Sequence, residues 1–358
     1  MNEFPEGNAI VYCEGNFGTS NGKTAHGLVR FTRRYRVLSV IDSKLAGKDA
    51  GEFLDGKPKG IPIHAKLPVA MADAKSKNTN ATHFVIGLAP DGGRLNGDAR
   101  EAVTAAIESG LNVDCGLHDY LGDDPRLSSL ALKHQVTIRD IRKPPPIDKQ
   151  HFFSGKIEEV DSLKVAVLGT DSAVGKRTTA WMIVNGLQQG GTSAEMVGTG
   201  QTAWMQGVSY GMILDSVIND FLSGEIEHAV WSAWNEKKPQ VIVIEGQGSL
   251  MNPAYPGGYE ILAAGRPDVV VLQHAPARKE YDGFPGYPLH PIEKQIKAIE
   301  FVSGKPVVAI AINHEHMKQE EIGPTCGLLG KETGLPVCDA LVDGPGKIIE
   351  ALMRYVKK

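Results

Sequence analysis

The chain has 358 residues, a net charge of −4, 42% hydrophobic and 22% charged residues. That is an ordinary globular composition, too long for one average domain and suited to two. The mild acidity argues against a nucleic-acid or membrane-surface partner, and no apolar run approaches the roughly 20 residues that span a bilayer.

Four cysteines, Cys13, Cys115, Cys326 and Cys338, are scattered with no CxxC pair. They read as free thiols in a reducing cytoplasm, with no disulfide framework and no metal site. The opening "MNEFPEGNAIVYCEGN" lacks the basic and apolar regions of a secretory signal.

In chain order, "AIVYCEG" (9–15), "YRVLSVID" (35–42), "THFVIGLA" (82–89) and "LNVDCGL" (111–117) predict buried parallel strands. Among the intervening stretches "GDAREAVTAAIESG" (97–110) predicts a helix stopped by its glycine. "TIRDIRKPPPIDKQ" (137–150) breaks the alternation, because three consecutive prolines neither continue a helix nor pair in a central strand. A first domain is expected over 1–141, a Pro-rich linker over 142–160 and a second domain over 161–358.

The second half resumes the alternation. Strands are expected at 163–170, 193–199, 239–246, 267–274 and 305–313, and helices near 176–189, 224–236, 291–303 and 344–357. Alternation of this kind specifies an α/β protein with mostly parallel sheets. Ligands of such sheets sit at the carboxyl ends of the strands. Those ends are Gly169–Lys176, Gly198–Thr202, Glu245–Gly248, His274 and Asn313.

Gly169-Thr170-Asp171-Ser172-Ala173-Val174-Gly175-Lys176 reads G-x5-G-K, one residue longer than the common phosphate-binding G-x4-G-K-[ST]. Backbone N–H groups of such a loop converge on an anion, the helix that follows adds positive potential, and the lysine adds a point charge. Arg177 stands where a nucleotide hydrolase places the hydroxyl that holds magnesium. Either Thr178 or Thr179 recovers that hydroxyl by a register adjustment, or Arg177 adds fixed charge beside a diphosphate, or it faces solvent.

Around the loop, Gly198 and Gly200 permit close backbone approach, with Gln201 and Thr202 placed to orient polar groups and Gln247 on the next turn. A strand delivers Glu245, suited to general-base or ammonium-binding work. Another delivers His274, a proton carrier or a satisfied core histidine, and then Arg278. Asp215 fits a helix cap as well as a substrate contact. In the first domain "CEGNFGTSNGKTAHGLVR" (13–30) with Asp42 only partly matches a dinucleotide fingerprint. "APDGGRL" (89–95) brings Arg94 to another strand end.

Taken together, "LGTDSAVGKRTTA", "VGTGQTAW", "LDSVINDFLSGEIE", "VIVIEGQGSL", "LQHAP", "GKTAHGLVR" and "APDGGRL" resemble one bacterial and archaeal family of formerly unknown function. That family joins a Rossmann-like N-terminal domain to a P-loop C-terminal domain and includes the D-glutamate N-acetyltransferase. The resemblance spans nearly the whole chain. It implies a Rossmann-like parallel sheet followed by a P-loop sheet. It also implies an acetyl-CoA-dependent N-acetyltransferase of amino-acid catabolism, acting on small molecules, D-glutamate first.

Such chemistry suits the loop. Coenzyme A offers a diphosphate and a 3′-phosphate to residues 170–178, including Lys176 and Arg177, and needs no tightly held metal. It also requires a base for the amino group, an oxyanion donor and cations for two substrate carboxylates. Strand-end geometry assigns Glu245 as base with His274 as rival, Gln201 or backbone N–H groups to the oxyanion, and Arg278 and Arg94 to the carboxylates. Gly200, Thr202 and Gln247 complete the substrate set.

A more distant likeness is to dethiobiotin synthetase, through G-T-D-x-x-V-G-K and E-G-x-G; it implies ATP with magnesium, which Arg177 disfavours. A nicotinamide-dependent dehydrogenase or epimerase and a non-catalytic nucleotide-binding regulator remain further alternatives. A homo-oligomer is expected.

Overall fold

The computed structural model describes residues 5–357. It divides into two compact units. One holds the chain as far as Pro145 together with Gln201–Gly207; the other holds Pro146–Gly200 and the chain from Val208 onwards.

The first unit is a six-stranded sheet: β1 (Gly7–Tyr12), β2 (Tyr35–Ile41), β3 (Ile63–His64), β4 (His83–Ile86), β5 (Asn112–Cys115) and β6 (Ile138–Asp140). All pairings are parallel, in the order β3-β2-β1-β4-β5-β6. This is the Rossmann strand order. β4 is buried along its whole length, as a strand covered on both faces must be. The helix Gly97–Glu108 starts where the Asn96 side chain accepts the Ala99 N–H at 2.9 Å. The edge strands β3 and β6 carry no apolar signal long enough to predict. β6 lies within the expected first domain, 1–141, just before the three prolines, 144–146, that mark the expected linker.

The segment Gln201–Gly207 belongs to this unit because its side chains are used there. Met205 is fully buried in the first unit's core, worth roughly 2 kcal/mol for a side chain of its size. Gln206 Nε2 donates to Gly27 O and Phe31 O at 2.8 Å each, and the Arg34 guanidinium lies 3.7 Å from the Trp204 ring.

The second unit is a seven-stranded parallel sheet: β7 (Leu163–Gly169), β8 (Ala194–Gly198), β9 (Tyr210–Gly211), β10 (Val241–Glu245), β11 (Val269–His274), β12 (Val307–Ile312) and β13 (Val337–Asp339). Its order is β13-β12-β11-β7-β10-β8-β9. β7, β10, β11 and β12 are buried throughout, matching their continuous runs of Val, Ile, Leu and Ala. From β7 the chain proceeds toward β8 and from β11 toward β12, in opposite directions along the sheet. The order reverses between β7 and β11, and the crevice beyond their carboxyl ends is the ligand position of such sheets.

The helix Lys176–Gln189 has the expected bounds, whereas Asn219–Lys237 starts five residues earlier than the 224–236 expected. The helix Gln319–Thr333 contains Pro324, a residue that reads as a breaker in sequence. Among the described residues no helix is long and apolar enough to cross a membrane.

Candidate functional site

The loop after β7 is folded back on itself by two residues in the left-handed region, Ala173 (φ 53°) and Gly175 (φ 108°). At Gly175 this conformation is free of the Cβ penalty. A Cβ on Gly169 would lie 2.9 Å from both Lys176 Cδ and Val174 Cγ2, so the lysine stem packs directly over the glycine. The helix Lys176–Gln189 begins after Gly175, which has no side chain to cap it, and a helix N-terminus carries the positive potential that favours an anion. Lys176 Nζ donates to Asp171 O and Gly248 O, each at 2.7 Å, and so spans the loop.

A neighbouring strand, a helix and two loops hold this loop. Thr170 N donates to Gln273 O at 2.9 Å. Gln295 Nε2 donates to Thr170 O at 3.2 Å, and Asn313 Nδ2 to Val174 O at 3.0 Å. Ser172 Oγ donates to Asp282 Oδ2 at 2.9 Å.

Asp171 is the anchor of the loop. Its fully buried carboxylate accepts from Asn252 Nδ2, Ser172 N, Asp282 N and Arg278 Nη1 at 2.7–2.8 Å. The loops after β10 and β11 are therefore tied to the phosphate loop through one side chain. Arg278, expected on a substrate carboxylate, is committed here. Its Nη1 serves Asp171 and Ser172 O, while Nε and Nη2 grip Glu315 at 2.7 and 2.9 Å. With two carboxylates of its own chain satisfied, Arg278 is a brace for the loop. The guanidinium is held further above its usual range by these hydrogen bonds, although burial alone would lower it.

The hydroxyls after Lys176 are divided. Thr179 is buried and donates to Gln273 Oε1 at 2.5 Å, so it is committed to β11. Thr178 is half-buried. Arg177 is partly buried, and its charge acts on Glu245.

Glu245 ends β10 with its carboxylate buried, 4% exposed. Burial raises its pKa, against the opposing pull of Arg177, the Thr199 N–H, Lys176 and the Gly200 N–H. Thr199 N donates to Glu245 Oε2 at 2.9 Å, and Gln247 Nε2 donates to Thr199 Oγ1 at 3.0 Å. A Cβ on Gly200 would fall 2.9 Å from Gln247 Nε2 and 4.0 Å from Glu245 Oε2. Gly200, Gln247 and Glu245 thus form one polar corner beside the loop.

His274 ends β11. Its Nδ1 lies 3.0 Å from Thr170 Oγ1, and burial, helped by Arg278, lowers its pKa to about 4. It is a neutral imidazole near pH 7. Gln201 and Thr202 belong to the first unit, where Gln201 packs against Gly116 and Thr202 Oγ1 lies 2.9 Å from Thr24 Oγ1. Arg94 lies exposed on the loop after β4 in that same unit. Asp42, placed like a ribose-binding carboxylate, accepts instead from Phe17 N at 2.9 Å and Lys44 N at 3.0 Å. Asp215 sits in the short turn Leu214–Ser216.

Sequence reading named neither Asn252, Asp282, Glu315 and Gln273, which brace the loop, nor Thr199. Each lies on a different strand or loop from the residue it serves, with no spacing rule to link them. A second polar pair, His314 Nδ1 with Asp339 Oδ2 at 2.6 Å, occupies the ends of β12 and β13.

Residues 151–349 match the family described as Domain of unknown function (DUF1611_C) P-loop domain, and residues 43–144 match its companion, the DUF1611_N Rossmann-like domain. A protein of Tritonibacter scottomollicae named D-glutamate N-acetyltransferase is 30% identical over 330 residues, covering 88% of this chain and 96% of that protein. One of the same name from a Pseudoalteromonas species is 32% identical, covering 76% and 81%. The crystal structure of a DUF1611 family protein from Anabaena variabilis superposes with a TM-score of 0.89 at 27% identity, over 98% of this chain and all of that one. The match of both domain models, in the order of the two sheets described above, shows that this chain belongs to the DUF1611 family.

Proposed function

We propose that the protein is an N-acetyltransferase that moves the acetyl group of acetyl-CoA to the amino nitrogen of an amino acid, D-glutamate first among acceptors. The names of the two relatives that align along most of the chain support the reaction class. The observation that carries it is the pairing of an anion-cradling loop with a buried carboxylate of raised pKa, Glu245, where Arg177 replaces the metal-holding hydroxyl and Thr179 is bonded to Gln273.

The loop fits a diphosphate. It brings together the N-terminus of the helix Lys176–Gln189 and the ammonium of Lys176, with Arg177 next in sequence. Acetyl-CoA supplies an activated acyl carbon and a thiolate leaving group. The protein's task is to position the acceptor, take a proton and balance charge.

An amino acid arrives largely as its ammonium form, which loses one proton to water before its nitrogen can act. As the nitrogen bonds to the acyl carbon and the C–S bond breaks, the nitrogen sheds a second proton and the departing thiolate acquires one. Glu245 is the better carrier of that proton. Its raised pKa makes it a stronger base than an exposed carboxylate, whereas His274, lowered to about 4, is a weak one. Gln247 and the backbone at Gly200, which lie beside it, orient the acceptor in this reading.

The test is thiol release from acetyl-CoA, with product identification by mass spectrometry, across D- and L-amino acids in the presence of a metal chelator. Formation of N-acetyl-D-glutamate supports the proposal. Consumption of ATP with magnesium, with acetyl-CoA inert, would point to a ligase instead.

A further inference from the structure

Resting on the acetyl-CoA reading above, we propose that His314, held by Asp339, is the residue that reads the 3′-phosphate of coenzyme A and so distinguishes it from nucleotides lacking that group.

Sheet order divides the site. The phosphate loop follows β7, with β10 and Glu245 on one side and β11, β12 and β13 on the other. Coenzyme A is a linear molecule, with its diphosphate between the 3′-phosphoadenosine and the thioester. A diphosphate on the central loop sends those ends to opposite flanks. If the thioester lies by Glu245, the 3′-phosphoadenosine lies toward β12 and β13.

That flank carries suitable chemistry. The chain leaving β12, "NHEHMK" (313–318), abuts the phosphate loop: Asn313 Nδ2 donates to Val174 O at 3.0 Å, and Glu315 grips Arg278, which in turn holds Asp171. His314, between these two anchors, is bonded instead to Asp339, at 2.6 Å through Nδ1. Asp339 is buried and fixed, its other oxygen accepting from Leu341 N at 2.9 Å and Val342 N at 3.2 Å. A carboxylate accepts only, so Nδ1 carries the proton and Nε2 is the ring nitrogen left for a ligand. The His314 side chain is 37% exposed, against 1% for Asp339. With both ring nitrogens protonated, the imidazole donates through Nε2 to a phosphomonoester. The exposed Lys318 adds a cation to the same turn, which also carries His316, exposed and in the left-handed region (φ 60°). Neither Glu245 nor His274 duplicates this arrangement, since both are buried.

The experiment is calorimetric binding of CoA and of dephospho-CoA to the full-length protein, to His314→Gln and to Asp339→Asn. The wild type should prefer CoA by about 10- to 100-fold, the range of one hydrogen bond to a charged group. His314→Gln should abolish most of that preference by weakening CoA, with dephospho-CoA affinity unchanged. Asp339→Asn should reduce the preference in the same direction, and serves as the second variant should His314→Gln unfold. Adenosine 3′,5′-bisphosphate should compete with CoA on the wild type and not on His314→Gln. A wild type indifferent to the 3′-phosphate, or a preference that survives in both variants, overturns the proposal while leaving the transferase reading intact. Failure of the wild type to bind either CoA form removes the transferase reading itself, and this proposal with it.

Discussion

Thr179 donates its hydroxyl hydrogen to Gln273 Oε1 at 2.5 Å, and both side chains are buried. One of the two hydroxyls expected to replace the metal-holding one is thereby part of the sheet's internal bonding, and the position directly after Lys176 is a cation. On the proposed reading the loop binds an anion on its own charge. Coenzyme A affinity should therefore be the same in EDTA and in millimolar magnesium, measured by titration calorimetry. A large gain with magnesium would show that Thr178 or Thr179 reaches a metal. Thr179→Val should cost about 1–3 kcal/mol in urea unfolding, because it leaves Gln273 Oε1 buried without its donor.

Lys176→Ala removes the ammonium that spans Asp171 O and Gly248 O. Loss of a charge-assisted contact to a phosphate should weaken CoA binding by at least about tenfold. The circular dichroism spectrum should stay as in the wild type, since the N-terminus of the helix Lys176–Gln189 is set by the backbone at Gly175. Unaltered CoA affinity in this variant would remove the loop from the cofactor site.

Arg278→Ala should act on stability before substrate affinity. It leaves Asp171 buried with its main counter-charge gone and Glu315 unpaired. Breaking a buried pair from one side typically costs about 3–5 kcal/mol, seen as a lower urea midpoint. A stable variant with a selectively raised KM for D-glutamate would restore Arg278 to the substrate site.

Glu245→Gln should lower kcat by about 10²- to 10⁴-fold, the usual contribution of a positioned proton acceptor, while CoA binding stays unchanged. Its effect on stability has the opposite sign. Burial raises the Glu245 pKa above its unfolded value, so the folded state holds this proton more tightly. That contribution is fully present below the ordinary carboxylate range and is lost as pH rises through the raised value. Thermal unfolding should show Glu245→Gln gaining on the wild type with increasing pH over that window. His274 runs the other way, lowered from 6.5 to about 4. Its contribution is present above pH 6.5 and is lost as pH falls toward 4, by roughly 3 kcal/mol. His274→Gln should flatten that acid slope.

The sequence carried the central strands and the phosphate loop because both are local signals. β7, β10, β11 and β12 are continuous apolar runs, and Gly169–Lys176 contains its own turn chemistry. The edges were not legible, since β3, β9, β6 and β13 are two or three residues long and take their identity from one neighbour. The intrachain partners of Arg278 were not legible for a related reason. Asp171 and Glu315 lie 107 and 37 residues away in sequence, and an arginine at a strand end looks the same whether it faces a substrate or two carboxylates of its own chain. The grouping of Gln201–Gly207 with the first unit also escaped, because Met205 and Gln206 find their partners more than 170 residues upstream.

The most direct measurement of the central claim is isotope-traced acetyl transfer: [¹³C]acetyl-CoA with D-glutamate, EDTA present, wild type beside Glu245→Gln. The account predicts labelled N-acetyl-D-glutamate and one free thiol per product from the wild type, with near-complete loss in the variant despite normal CoA binding. Absence of labelled product from the wild type with every amino acid offered, or full activity in Glu245→Gln, would contradict it.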